Sequence, residues 1–201
     1  LQQVQVDVDG RVGVSALQEW LGGPLWQALS GEAPYQASIR IPAGKQPAQL
    51  QVTSSLAGMS ILLPAPLGKG ATPLPFRLQS SLGGVEQMAR LQLGRQLSGG
   101  LVWRDGVFNA ALLRLDSNDV GWPSAPGIEI EGRVPRLSLA DWQPWLDRLQ
   151  KSTSRTVASA RLPGLTRLEI EAREMEANGW RLGNARLAVK REAAAWRVGL
   201  T

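Results

Sequence analysis

Apolar and polar residues alternate with a period of two along most of the chain. At the start, Val4, Val6 and Val8 alternate with Gln5 and Asp7. Such alternation places successive side chains on opposite faces of a β-strand, one face apolar and the other polar. Similar runs recur to the end of the chain, about eleven in all, near residues 39–41, 50–53, 76–78, 91–93, 102–104, 107–113, 128–131, 168–171, 186–189 and 196–200. The pattern predicts a mostly antiparallel sheet with one apolar face.

Two Asp-Gly pairs carry the chemistry of tight turns. Asp105-Gly106 separates a run that ends at Arg104 from one that starts at Val107, and this arrangement is a strong sign of a β-hairpin. Asp9-Gly10 follows the first alternating run in the same way and predicts a turn there.

Only two segments have helical character. The first covers residues 15–29, with Ser15 as the N-cap, and is interrupted by Gly22-Gly23-Pro24. The second covers residues 138–150, with Ser138 as the N-cap and Asp141 in the first turn, followed by apolar residues at helical spacing. Both segments contain Trp residues, which we expect to pack each helix against the sheet: Trp20, Trp26, Trp142 and Trp145.

The two helical segments are preceded by the same triplet. Gly10-Arg11-Val12 precedes Trp20 by the interval that separates Gly132-Arg133-Val134 from Trp142. This match predicts an internal repeat, with units that start near residues 10 and 132. We interpret residues 1–201 as one fragment of a longer β-sheet protein, with any membrane anchor outside it.

Three stretches break the alternation. Residues 62–75 contain several prolines, each of which lacks an amide donor, so this stretch is predicted to be a loop or a crossover and not a central strand. Residues 117–126, with Trp122-Pro123 inside, form a second predicted loop. The polar stretch at residues 151–158 is predicted to be mobile.

Two short helices shield only about four or five strands, because a helix is about 10–12 Å wide and neighbouring strands lie about 4.8 Å apart. The apolar face therefore requires a sandwich, a closed barrel or an open trough. A sandwich of this size usually has more bulky aromatic residues than one Tyr and two Phe. We predict a mainly β chain with two short helices (α+β), whose elongated, twisted, mostly antiparallel sheet curls into an open hydrophobic groove. The alternative is a closed β-sandwich acting as a structural or interaction module without a ligand.

Composition argues against most enzyme chemistry. The chain has no His and no Cys, so catalysis by Cys or His and zinc sites built on them are excluded. Asp116, Asn118 and Asp119 make a poor calcium motif. A carbohydrate-processing enzyme built on Glu129 and Glu131 is a remote third reading. We expect no catalytic residues, no metal and no cofactor.

The charge pattern gives no sign of a nucleic-acid partner. The net charge is +5, and the positive residues are scattered singly. Nucleic-acid-binding proteins usually concentrate basic residues on one face and add stacking aromatics. Lys69, beside two glycines, is more simply read as solvated than as a phosphate ligand.

Several segments resemble one family of envelope proteins. The stretch SSLAGMSILLPAPLGKGA at residues 54–71, together with residues 30–35, 127–142 and 168–200, resembles the AsmA-like YhdP group. The resemblance implies a bridge-like lipid-transfer protein. In that group an inner-membrane helix anchors a long periplasmic β-sheet, and its hydrophobic groove carries phospholipid between the inner and outer membranes of Gram-negative bacteria.

The resemblance implies that lipid binds along the apolar face of the predicted sheet. A chain of sixteen carbons is disfavoured in water by roughly 12 kcal/mol, at about 0.8 kcal/mol per CH₂, and a continuous apolar floor offsets this cost without a specific pocket. Ordinary core packing is the competing reading for each residue. The predicted contacts for phospholipid acyl chains are Val52, Phe76, Leu78, Leu91, Leu93, Leu113, Ile128, Ile130, Leu168 and Ile170.

Overall fold

The computed structural model describes residues 3–21, 27–44, 46–153, 164–177, 179–192 and 195–201. Its strands form one open, twelve-stranded sheet. In chain order the elements are β1 (Val4–Gly13), α1 (Val14–Leu21), β2 (Leu29–Ile41), β3 (Ala48–Ser54), β4 (Met59–Ile61), β5 (Phe76–Leu82), β6 (Glu86–Leu93), β7 (Leu97–Arg104), β8 (Val107–Leu115), β9 (Gly127–Ser138), α2 (Leu139–Thr153), β10 (Leu165–Ala177), β11 (Trp180–Glu192) and β12 (Ala195–Leu200). The predicted fold class, mainly β with two short helices, is confirmed.

The strands follow one another through the sheet almost in chain order. The path runs β1-β2-β3-β5-β6-β7-β8-β9-β10-β11-β12, and β4 pairs with β2 beside it. Two pairings are parallel, β8 with β9 and β9 with β10. Parallel neighbours need a crossover, which residues 116–126 supply for the first pair and α2 begins for the second. The sheet is therefore mostly antiparallel, and the described strands do not form a second stacked sheet.

The two Asp-Gly predictions have opposite outcomes. Asp105 and Gly106, with φ of 51° and 74°, form the two-residue turn between β7 and β8, which confirms the hairpin. The turn predicted at Asp9-Gly10 is wrong, because Gly10 lies inside β1 opposite Tyr35. A Cβ at Gly10 would lie 3.3 Å from the Tyr35 ring, so the glycine makes room for that side chain.

The helix boundaries match the sequence better at α2 than at α1. Helix α2 begins directly after Ser138, whose Oγ accepts a hydrogen bond from the amide of Asp141 at 3.3 Å, so the predicted N-cap is confirmed. Helix α1 begins at Val14, which places Ser15 inside its first turn and not at the cap. Residues 22–26 lie outside the described residues. So does the end of the stretch predicted to be mobile, whose first residues belong to α2.

The predicted repeat stays a prediction. Both triplets lie in strands that run directly into a helix. However, α1 follows Gly10 at a shorter interval than α2 follows Gly132, and β1 ends the strand order whereas β9 lies between two parallel neighbours. The side chains of Trp20 and Trp26 lie outside the described residues, so their comparison with Trp142 is open.

A hydrophobic cluster lies where α2 covers the sheet. Trp142 and Leu139 of α2 and Leu67 of the β4–β5 connection pack against it. Its buried members are Leu115, Val134, Leu137, Ile170, Ala172, Met175 and Ala185. In β10 the buried positions shift by one residue between Ala172 and Met175, and β9 makes the same shift before Leu137. Leu137 and Met175 are paired in register, so both strands keep their apolar side chains in the cluster.

Candidate functional site

One row of apolar residues crosses the sheet without a break. Residues directly opposite each other on neighbouring strands share a face, so the strand register identifies the members of a row. The row consists of Val8, Ala37, Val52, Leu78, Leu91, Gly99, Leu113, Ile130, Leu168, Val189 and Val198. It includes one residue from every strand along the path from β1 to β12. We call it the central row.

The rows on either side of the central row are also mostly apolar. On one side lie Val6, Ile39, Leu50, Ser80, Ala89, Leu101, Ala111 and Ile128. On the other side lie Gly10, Tyr35, Ser54, Phe76, Leu93, Leu97, Leu115, Gly132, Ile170, Leu187 and Leu200. We call these three rows the apolar face. All ten predicted lipid contacts lie on it, six of them in the central row.

The predicted contacts differ in how much surface they expose. Leu93 and Ile170 are buried, and Ile170 belongs to the cluster beneath α2. Ile130 and Leu168 are partly buried and pack against that cluster. The remaining six are half-buried: Val52, Phe76, Leu78, Leu91, Leu113 and Ile128. Exposure rises at the ends of the row, where Val8 is 49% and Val198 is 64% exposed.

The opposite face of the sheet is polar along most strands, but in β7 and β8 it carries the buried residues Val102, Ala110 and Leu112. Glu129 and Glu131 lie on it, as expected from their alternation with Ile130. Glu131 pairs with Arg114 at 2.7 Å, and Glu129 accepts a hydrogen bond from Ser124 at 3.4 Å. Each carboxylate is therefore engaged with a neighbouring side chain.

Residues 62–75, which were predicted to form a loop or a crossover, belong to the connection between β3 and β5, and we call this connection the bracket (residues 55–75). Its short strand β4 pairs with the first residues of β2, which β3 leaves without a partner. The chain then turns back, so that Lys69 bridges to Ile61. Its far end reaches α2, where the indole Nε1 of Trp142 donates to the carbonyl of Ala65 at 3.0 Å. The bracket thus joins β2 to the helix that covers the apolar face.

Lys69 has a structural role that neither sequence-based reading anticipated. Its ammonium donates to the carbonyls of Leu56 at 3.0 Å and Gly70 at 2.8 Å, and also to that of Met59. Desolvation lowers the pKa of Lys69. Because an ammonium has only three hydrogens, these contacts leave it none for a phosphate. In the sequence, the position of Lys69 between two glycines was the available indication that its ammonium contacts the backbone.

The glycines of the family-like stretch allow backbone segments to approach closely. A Cβ at Gly68 would lie 2.1 Å from the carbonyl oxygen of Leu63, and one at Gly31 would lie 2.2 Å from that of Gly58. No side chain fits at these distances. Residues 54–71 therefore help to specify the shape of the bracket.

The two tryptophans of α2 have different surroundings. Trp142 packs against the buried cluster, so its predicted role is confirmed. Trp145 is half-buried and lies under the guanidinium of Arg148, whose Cζ atom is 4.9 Å from the ring centroid.

Among the described residues, no helix is long and apolar enough to cross a membrane.

The described residues contain no cluster of three or more acidic side chains that would hold a metal ion. Asp119, a member of the weak cation motif, forms an ion pair with Arg114. The guanidinium thus compensates the carboxylate that a cation would have to use.

Comparisons with known proteins identify the family. The family model described as "YhdP protein" matches residues 1–201, the whole of the chain. Searches of curated proteins and of solved structures return no match. The family match agrees with the resemblance seen in residues 30–35, 54–71, 127–142 and 168–200. The chain therefore belongs to the YhdP family of cell-envelope proteins.

Proposed function

We propose that this chain is a segment of a bridge-like envelope protein that carries phospholipid between the inner and outer membranes. The acyl chains lie on the apolar face, which curls around them as a groove. The observation that carries the proposal is the central row, to which each of the eleven strands along the path from β1 to β12 contributes an apolar residue, with Gly99 as the member from β7.

The length of the row supports a path in preference to a pocket. Successive strands add about 4.8 Å each, so the row extends over about 48 Å. An acyl chain spans half of a hydrocarbon core that is about 30 Å thick. The row is therefore long enough for several acyl chains in succession.

The chemistry of the row supports transport of lipids with different headgroups. Contact with hydrocarbon is non-directional and depends on the apolar area removed from water. Ser54 and Ser80 are the only hydroxyl-bearing members of the flanking rows apart from Tyr35. The headgroup stays in water at the open side of the face, and the acyl chain slides without breaking hydrogen bonds.

The proposal assigns a carrier role and no catalytic one. It places the chain in the periplasm, with anchorage to the inner membrane supplied by parts of the protein outside these residues. Absence of His and Cys from the sequence supports this assignment.

Photocrosslinking on the two faces of one strand tests the proposal. Leu78 lies in the central row, and its neighbour Gln79 lies on the polar face. p-Benzoylphenylalanine is placed at each position in turn, and the protein is illuminated with vesicles of phosphatidylethanolamine and phosphatidylglycerol. Mass spectrometry should find phospholipid adducts at position 78 and none at position 79. Equal labelling at both positions, or no adduct at 78 in the folded protein, would instead favour a structural module without a ligand.

A further inference from the structure

Two arginines lie side by side on the polar face of β5 and β6. Arg77 is opposite Gln92 and Arg90 is opposite Gln79, so the two arginines are diagonal neighbours. Diagonal neighbours across antiparallel strands are about 7–8 Å apart, within reach of long side chains. Both residues are exposed. Their guanidinium groups are therefore able to converge on one ligand.

Trp122 fixes the position of one of these guanidinium groups. The Cζ atom of Arg90 lies 5.6 Å from the centroid of the Trp122 ring, as in a cation–π contact. Arg90 is opposite Gly100, where a Cβ would lie 2.7 Å from the Trp122 ring. Gly100 thus leaves the space in which the indole lies against the sheet and orients Arg90.

Residues 118–120 of the crossover between β8 and β9 lie beside the two arginines, and we call them the wall. The Ser98 hydroxyl donates to the carbonyl of Asp119 at 2.7 Å, and the Gln92 side chain donates to that of Asn118 at 3.3 Å. These bonds hold the wall against the sheet. A cleft of about 380 Å³ results, lined by Arg77, Gln79, Arg90, Gln92, Asn118, Asp119 and Val120.

The charges around the cleft favour an anion. In the part of the chain that the structure describes, neither Arg77 nor Arg90 belongs to an ion pair. The acidic residue of the wall, Asp119, pairs with Arg114, which also pairs with Glu131. Farther along the same face, arginines are matched to glutamates, as Arg133 is to Glu171 at 3.0 Å. Among the described residues, the lining of the cleft thus contains two arginines without an ion pair and one carboxylate, which leaves a net positive charge.

We propose that this cleft binds a phosphate ester through Arg77 and Arg90. Guanidinium groups match phosphate oxygens with paired hydrogen bonds. The cleft exceeds the size of a bare phosphate, so it has room for the polar group to which the phosphate is attached. The site lies on the face opposite the central row, and it does not depend on the lipid path.

Titration with inorganic phosphate, followed by NMR of the arginine Nε–Hε groups at constant ionic strength, tests the proposal. We expect saturable shifts at Arg77, Arg90 and the Trp122 indole. Arg77→Gln and Arg90→Gln should each weaken binding by about tenfold, because each removes a charge-assisted pair of hydrogen bonds. Arg40→Gln, which removes a charge from the same face in β2, should leave the affinity unchanged.

A second substitution distinguishes a site from a general positive potential. Arg90→Lys keeps the charge but loses the planar contact with Trp122, so it should weaken phosphate binding nearly as much as Arg90→Gln. If Arg90→Lys binds like the unsubstituted chain, general attraction explains the shifts and the proposal is overturned.

Vesicle sedimentation identifies the source of the phosphate. Vesicles of phosphatidylglycerol are compared with vesicles of neutral phosphatidylcholine, using the same variants. Binding to phosphatidylglycerol that Arg77→Gln abolishes would support the site, with a membrane headgroup as its ligand. Saturable binding of free phosphate alone would support it with a soluble ester as ligand. If the chain bound neither phosphatidylglycerol vesicles nor free phosphate, or if binding survived both Gln substitutions, the proposed site would be contradicted.

Discussion

From β8 to β11 the apolar face lies beneath α2 and the bracket, whereas in β1 its side chains are open to solvent. Met175 is fully buried in the covered region. Val6 is 47% exposed at the other end of the sheet. Ile170, which is also buried in the covered region, and Val6 belong to alternating runs that look alike in the sequence. The difference teaches that alternation identifies the face of a side chain, and that its cover comes from elements elsewhere in the chain.

The same contrast separates the residues that stabilise the fold from those that the proposed lipid path would use. Burial of a large apolar side chain contributes about 1.5–3 kcal/mol to the free energy of unfolding. The covered region therefore holds the fold together. The half-buried central row from β3 to β6 contributes less, and its surface is available to a ligand.

Matched Asp substitutions in the two regions should differ most. Met175→Asp buries an unpaired carboxylate and should cost at least ~4 kcal/mol, which is enough to unfold a marginally stable chain. Leu78→Asp introduces the same charge at a half-buried position, where water solvates it, and should leave the chain folded. Urea unfolding followed by circular dichroism measures both. Similar losses of stability in the two variants would show that the central row is also closed core.

The bracket should tolerate a methyl group at one glycine and not at another. Gly68→Ala places a Cβ 2.1 Å from the Leu63 carbonyl oxygen, and we expect a loss of about 2–3 kcal/mol from the resulting backbone shift. At Gly70 no atom lies within 4 Å of the added Cβ, so Gly70→Ala is the control and should change the stability little. Thermal unfolding of both variants checks this prediction, and equal midpoints would contradict the close packing of the bracket.

The bond between the bracket and α2 should have a smaller effect. Trp142→Phe keeps an aromatic ring in the cluster but removes the donor to the Ala65 carbonyl, at a cost of about 1 kcal/mol. Amide hydrogen exchange should become faster at residues 59–69, which the bond helps to hold. Trp145→Phe in the same helix serves as control. Unchanged exchange in Trp142→Phe would mean that the bracket is held by its packing against β2 alone.

The sequence allowed prediction of the open sheet and of the face that each candidate residue occupies. This succeeded because the side-chain period of a strand is two, so residues such as Leu78 and Ile130 keep their face whatever covers it. The covered state of Ile170 was not predictable, because it depends on where α2 packs. The carbonyl contacts of Lys69 were missed for a similar reason, since they join residues that only the turns of the bracket bring together.

Local signals failed where a distant side chain decided the conformation. Asp9-Gly10 has the composition of a turn. However, both residues pair with β2, and the Tyr35 ring occupies the space where a side chain at position 10 would lie. Arg173-Glu174 interrupts the alternation before Met175, and β9 makes the same shift, so the pairing of the two strands keeps Met175 in the buried cluster.

The strand order has one further consequence. Among the described residues, β1 and β12 lie at its two ends, and both end members of the central row, Val8 and Val198, are exposed there. If another strand joins either end through backbone hydrogen bonds, its register decides which of its side chains lie in line with the row. A neighbour docked one residue out of step would present a polar side chain where Val8 or Val198 requires an apolar one. The apolar row would then be interrupted at the junction, and the proposed lipid path would end there although every strand remained folded.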